Sequence, residues 1–258
     1  MLFFINQGVT ELLSFSQLIS LSLLDVIAFS WFVFWWTVYY FYSKRSLSGK
    51  VCLARVMHQY RADWMVRLLE REVRIADTTI MTHLERNGAF FASSTLLILA
   101  ALFTMLGATD QAIQIMSQLP FSGTDTQLEW ELKVLLLIAI FVYAFFTFTW
   151  SMRQYNFCAI MIGAAPQPTD ENVTPKSRKA YAEHTADLID LAANQFNYGL
   201  RAYYFGLAVL CWFWHPYVFM VATVLVVMVL YRREFHSKTL RALIAARDAN
   251  VIFKGIIR

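Results

Sequence analysis

Charge is what this sequence has least of. Asp, Glu, Lys and Arg make up 16% of its 258 residues, where a soluble domain carries about a quarter. So little charge does not cover the surface of a water-soluble body of this size. The first twenty residues hold no Lys or Arg at all. A secretory signal opens with a positive segment and ends at a small-residue cleavage site, so the first apolar run is expected to stay in the mature protein. The three cysteines, Cys52, Cys158 and Cys211, form no close pair and match no metal-ligand spacing, which argues against a disulfide framework or a thiolate metal centre and predicts free thiols. The chain has no Gly-rich phosphate loop, no H-E-x-x-H, no C-x-x-C and no G-x-S-x-G, so none of the familiar catalytic signatures supports an enzyme. No internal repeat or low-complexity tract is present.

What the sequence has instead is grease. Hydrophobic residues reach 58%, with 22 Phe, 12 Tyr and 8 Trp, and such aromatics populate lipid-facing and interfacial surfaces. About 20 apolar residues cross the hydrocarbon core as a helix. Ser22 to Tyr42, Ala89 to Gly107 and Leu132 to Trp150 meet that requirement. A fourth apolar run, Tyr198 to Tyr231, spans 34 residues and is interrupted by His215-Pro216. One helix of that length would be about 50 Å long, against a core of about 30 Å. Proline restricts the residue before it and favours the first turn of a new helix, so the run divides into two spans, 200–214 and 216–231, joined by a tight turn.

The distribution of cations tests that division, because cytoplasmic loops collect Lys and Arg. Nine lie between the first two spans, five follow the third and seven follow the fifth, so that 21 of the 22 share one face. The last, Lys133, sits at the outer mouth of the third span. The 108–131 loop opposite carries Asp110, Asp125, Glu129 and Glu131. A single span over 198–231 would split the cations 14 to 8. The expected fold is therefore all-α: one polytopic membrane helix bundle of about five spans, of the bacterial inner-membrane type, N-terminus outside and C-terminus cytoplasmic. Its partner is the lipid bilayer. Topology accounts for the cations, so nucleic acid is not expected, and no cofactor or metal is implied.

Long helical extensions are expected on the cytoplasmic side, over residues 51–86, 151–163, 177–197 and 232–252. In the first, Met65, Leu69, Val73, Ala76, Ile80 and Leu84 form one apolar stripe at spacings of three and four, and Asn87-Gly88 reads as its C-terminal stop. Another face alternates Asp63, Arg67, Glu70, Arg74 and Asp77. Three readings of that ladder stay open. Arg67, Arg71 and Arg74, beside Asp77, offer forks suited to an anionic headgroup or a partner. Alternatively the face is a solvated set of ion pairs, each contributing about 0.2–0.5 kcal/mol. The third possibility is a face buried against neighbouring helices that fixes their register.

Glu183, His184, Asp187 and Asp190 place four polar groups within two turns. With no second ligand segment visible, an ordinary polar helix face explains them better than a metal site. Asp25 is the one carboxylate near a span interior, where an ionisable group is a functional candidate by default. It lies within a turn of the outer end, where an anion also suits a helix start. Arg201 sits at an inner span end, from which its side chain can reach the interface.

Several ordered motifs point to a family. Arg61-Ala-Asp-Trp-Met65, Arg74-Ile-Ala-Asp-Thr-Thr-Ile-Met81, Asn87-Gly-Ala-Phe-Phe-Ala-Ser-Ser-Thr95, Phe148-Thr-Trp-Ser-Met-Arg153, Asn197-Tyr-Gly-Leu-Arg-Ala-Tyr-Tyr204 and Tyr231-Arg-Arg-Glu-Phe235 resemble the bacterial and plant membrane family called domain of unknown function 599, over roughly residues 20–240. The resemblance implies a multi-pass membrane protein and brings no catalytic residue with it. Three function classes follow. The first is a structural or accessory protein binding a membrane-protein partner or itself, as a homo-oligomer, through its cytoplasmic helices. The second is an oligomeric channel or transporter. The third is a membrane-surface enzyme acting on lipid.

Overall fold

The computed structural model describes residues 22–46, 51–116 and 126–249. The first 21 residues, 47–50, Asp125 with the rest of 117–125, and the end of the 232–252 segment lie outside the described residues. The helices are α1 (Leu23–Ser46), α2 (Leu53–Leu69), α3 (Ile75–Gly107), α4 (Thr109–Met116), α5 (Gln127–Ala164), α6 (Pro175–Leu210), α7 (Pro216–Phe235) and α8 (Lys238–Ala249), with a short 3₁₀ turn, Cys211–Phe213, between α6 and α7. There is no strand among the described residues. Three of the helices, α1, α3 and α5, are long and apolar enough to cross a membrane.

Local chemistry sets several starts. Thr126 and Glu129 form a capping box at α5. Thr174 accepts from the Ser177 N–H, with Pro175 in the first turn of α6. His215 accepts from the Tyr217 N–H through Nδ1 at 3.2 Å and Pro216 opens α7, so the chain turns back where the proline lies.

Helices α3, α5 and α6 hold 33, 38 and 36 residues, or about 50–57 Å at 1.5 Å per residue, well beyond a bilayer core. Their packing accordingly divides into two cores. One gathers Phe32, Phe148, Phe205 and Phe219 among the apolar halves of α1, α3, α5, α6 and α7. The other, built from Met65, Leu68, Met81, Cys158, Ile162 and Ile189, joins α2 to the far ends of α3, α5 and α6. Around the first core the outward side chains are apolar as well: Leu97, Phe103, Phe146, Val221, Leu225 and Met228 are exposed. An exposed apolar surface on that scale fits lipid as the solvent.

Helices α3 and α6 each run antiparallel to α5. Gly88 lies against Met152 and Phe148, Gly199 against Phe148, and Gly206 against Phe141, while the Ser151 hydroxyl donates to the Ala192 carbonyl at 2.7 Å. Phe148 is fully buried, stacked on Phe91 at 5.2 Å and edge-on to Phe196 and Tyr203.

The 51–86 segment departs from expectation. It is not one helix: α2 ends at Leu69, and after the turn 70–74 a new helix runs from Ile75 through Asn87-Gly88 to Gly107. Neither glycine nor proline marks the break. Gly88 serves close approach to α5 and not a stop. The apolar stripe therefore fails past Leu69: Val73, Ala76 and Ile80 are exposed, and the buried face of α3 is Asp77, Met81, Gly88, Ala92, Thr95, Leu99 and Leu102. The expected 232–252 helix is also interrupted, at His236-Ser237, where the Ser237 hydroxyl accepts from the Leu240 N–H and starts α8.

Candidate functional site

The break at 70–74 rearranges the charged ladder. Asp77 is fully buried, and its Oδ1 accepts from the Trp64 indole at 2.6 Å and from Arg71 at 2.6 Å. Arg74 points elsewhere, donating to the Ala165, Pro166 and Ile162 carbonyls at 2.7, 2.6 and 3.4 Å. These are carbonyls at the end of α5, which a helix C-terminus leaves without intrahelical donors. Arg67 acts on Asp63: burial raises that carboxyl's pKa, and the Arg67 charge offsets only part of the rise. Arg67, Arg71, Arg74 and Asp77 thus do not converge on one anion. Arg71, Arg74 and Asp77 fasten the turn to α2 and α5, which is the register-fixing reading of the ladder.

The second predicted cluster separates. Glu183 faces Lys179 at 3.9 Å and His184 is exposed. Asp190 meets α2, with both His58 and Arg61 on its carboxylate. His58, Asp187 and Asp190 offer ligand atoms within 4.8 Å of one another, so α2 supplies the second segment that the sequence did not reveal. An imidazole and two carboxylates suit a borderline divalent cation. The Arg61 guanidinium on Asp190 puts a fixed positive charge in the same place, and the arrangement serves as a strap between α2 and α6.

At the opposite end of the bundle lies a constellation that sequence reasoning missed. Asp25 and Lys133 are buried, 7% and 1% exposed, with Nζ 3.8 Å from Oδ1. The Trp212 indole donates to Asp25 at 2.6 Å, and Lys133 Nζ lies 5.6 Å from the centre of that ring. Glu129 accepts from the Ser22 N–H at 3.2 Å and from the Thr126 N–H at 2.8 Å. Buried charges are tolerated when paired and hydrogen-bonded, and here the pair ties α1, α5 and the α6–α7 turn together. Asp25 is therefore more than a helix-start anion. The available signal was two opposite charges, each within a turn of the start of an apolar run, 22–42 and 132–150. Beside them is a cavity of about 410 Å³, walled chiefly by Val26, Phe29, Leu132, Leu135 and Leu136.

Arg201 on α6 lies over aromatic faces, its guanidinium carbon 5.2 Å from the Tyr39 ring centre and 5.7 Å from that of Tyr198.

A bundle whose apolar helices are of membrane-crossing length, braced at both ends by buried polar ties, has the build of an α-helical membrane protein. The chain belongs to the family described as protein of unknown function, DUF599, whose match covers residues 27–239. No curated protein and no solved structure matches it.

Proposed function

We propose that this chain is a five-span inner-membrane protein, N-terminus outside and C-terminus cytoplasmic, that acts as an accessory protein by docking its inner helices onto a membrane-protein partner, a second copy of itself included. The carrying observation is an uncovered apolar edge. Val73, Ile75 and Ile80, beside the second core, are 69%, 73% and 45% exposed. That edge belongs to the part of α3 that precedes the span at 89–107, where water is the medium and bare aliphatic surface marks an interaction site.

Several features support the topology. The α6–α7 turn returns the chain at His215-Pro216, α7 exposes Val218, Val221, Leu225, Met228 and Val229, and nearly all cations then fall on the side of the second core. The polar residues with the strongest claim to chemistry, Asp77, Arg74, Asp190 and Asp25, hold helices together, which suits a scaffold better than a catalyst.

The test is the mass of the particle extracted in mild detergent, corrected for bound detergent. Wild type should exceed the 29.9 kDa of one chain, and Ile75→Asp with Ile80→Asp should reduce it to one chain at unchanged abundance. A wild-type monomer that co-purifies with no protein overturns the reading. A reporter fused after Arg258 should be active only in the cytoplasm.

A further inference from the structure

We propose that Arg201 and the tyrosines around it form a binding site for a phosphate group, carried by a lipid headgroup or free in solution. Four tyrosines from three helices line one small cleft with Arg201: Tyr39 and Tyr40 from α1, Tyr143 from α5 and Tyr198 from α6. The Tyr40 and Tyr198 rings lie 5.9 Å apart. The faces of the guanidinium are occupied by Tyr39 and Tyr198; its donors, however, lie at the edge, in the plane of the group. Among the described residues nothing accepts a hydrogen bond from Arg201, whereas Arg61, Arg71 and Arg74 each have an acceptor. Glu234, the one carboxylate on α7, accepts instead from the Ala54 N–H at 3.0 Å.

A guanidinium at a span end with ring faces and no anion is a strong donor set without its complement. The cleft measures about 20 Å³, enough for one oxygen-sized group. A terminal oxygen can therefore enter while the rest of the molecule stays outside. Phosphate fits better than carboxylate, because the one oxygen that enters can meet a tyrosine hydroxyl while two of those left outside take the arginine fork. The topology proposed above bears only on the source: it puts the cleft at the inner leaflet, where lipid phosphates lie.

The test uses the full chain in a phosphate-free maltoside detergent, titrated separately with short-chain phosphatidic acid and with inorganic phosphate, and read by tryptophan fluorescence and thermal shift. Saturable binding is expected in wild type. Arg201→Lys, which keeps the charge and loses the fork, should weaken it roughly tenfold or more, and Tyr198→Phe should weaken it by a smaller factor. Binding of the lipid alone assigns a headgroup site; equal binding of inorganic phosphate assigns a free anion. No saturable binding of either, or Arg201→Lys binding as tightly as wild type, overturns the proposal. Failure of the docking reading shows in particle mass and failure of this one in the isotherm, so the two are told apart.

Discussion

Replacing glycines one at a time by alanine should separate the places where α5 is closely approached from those where it is not. A Cβ at Gly199 would lie 2.6 Å from two ring carbons of Phe148 and 2.9 Å from a third. Phe148 has nowhere to go, since it is fully buried between Phe91, Phe196 and Tyr203. Overpacking of that kind costs about 1–3 kcal/mol, while alanine recovers about 1 kcal/mol of helix preference over glycine. Gly199→Ala should therefore lose up to about 2 kcal/mol net, a fall of up to about 4–8 °C in midpoint for a chain of this size. At Gly88 the clash, 2.7 Å from Met152 Cγ, falls on a flexible side chain that can change rotamer, and the loss should be smaller. At Gly206 the contacts with Phe141 are 3.2 and 3.3 Å, and the change should be close to neutral. Gly163 has nothing within 4 Å, so alanine there should be neutral or stabilising. The assay is thermal unfolding in one detergent, scored by the monodisperse fraction that survives heating. Adding Phe148→Leu to Gly199→Ala should recover part of the loss, since the two sites touch. A Gly199→Ala protein as stable as Gly163→Ala would refute the α5–α6 packing.

Three further outcomes are expected. Asp25→Asn or Lys133→Met alone should cost about 3–5 kcal/mol by leaving a buried charge unpaired, and Asp25→Leu with Lys133→Met should cost clearly less; equal stability of the single variants and wild type in the same heating assay would disprove the pair. Arg74→Ala removes the donors at the end of α5 and should loosen the 70–74 turn by roughly 2 kcal/mol, seen as faster tryptic cleavage after Arg71; an unchanged rate would mean that the turn is held by something else. With Arg61 on Asp190, chelators should leave the melting midpoint unchanged and zinc should not raise it; a saturable zinc-dependent rise that Asp187→Asn abolishes would make His58, Asp187 and Asp190 a metal site.

Much of this architecture was legible one residue at a time. Apolar runs of span length and Pro216 as the start of a helix are local signals, and local backbone chemistry obeys them. The candidate charges were less legible. The ladder from Asp63 to Asp77 has an unbroken helical period and no breaker, so periodicity joins what the structure separates. What divides it is Asp77 reaching Trp64 and Arg71 across the turn, together with Arg74 reaching carbonyls 88–92 positions away in sequence. His58 similarly meets an aspartate 132 positions on.

The sequence by itself determined the helical class and the apolar helices of membrane-crossing length, which follow from composition and order because transfer free energy is summed along the chain; it did not determine the break at 70–74. Only the tertiary structure decided which charges are partners. An ion pair or a carbonyl cap depends on distances of a few ångströms between segments far apart in sequence, and helix periodicity carries no information about those distances.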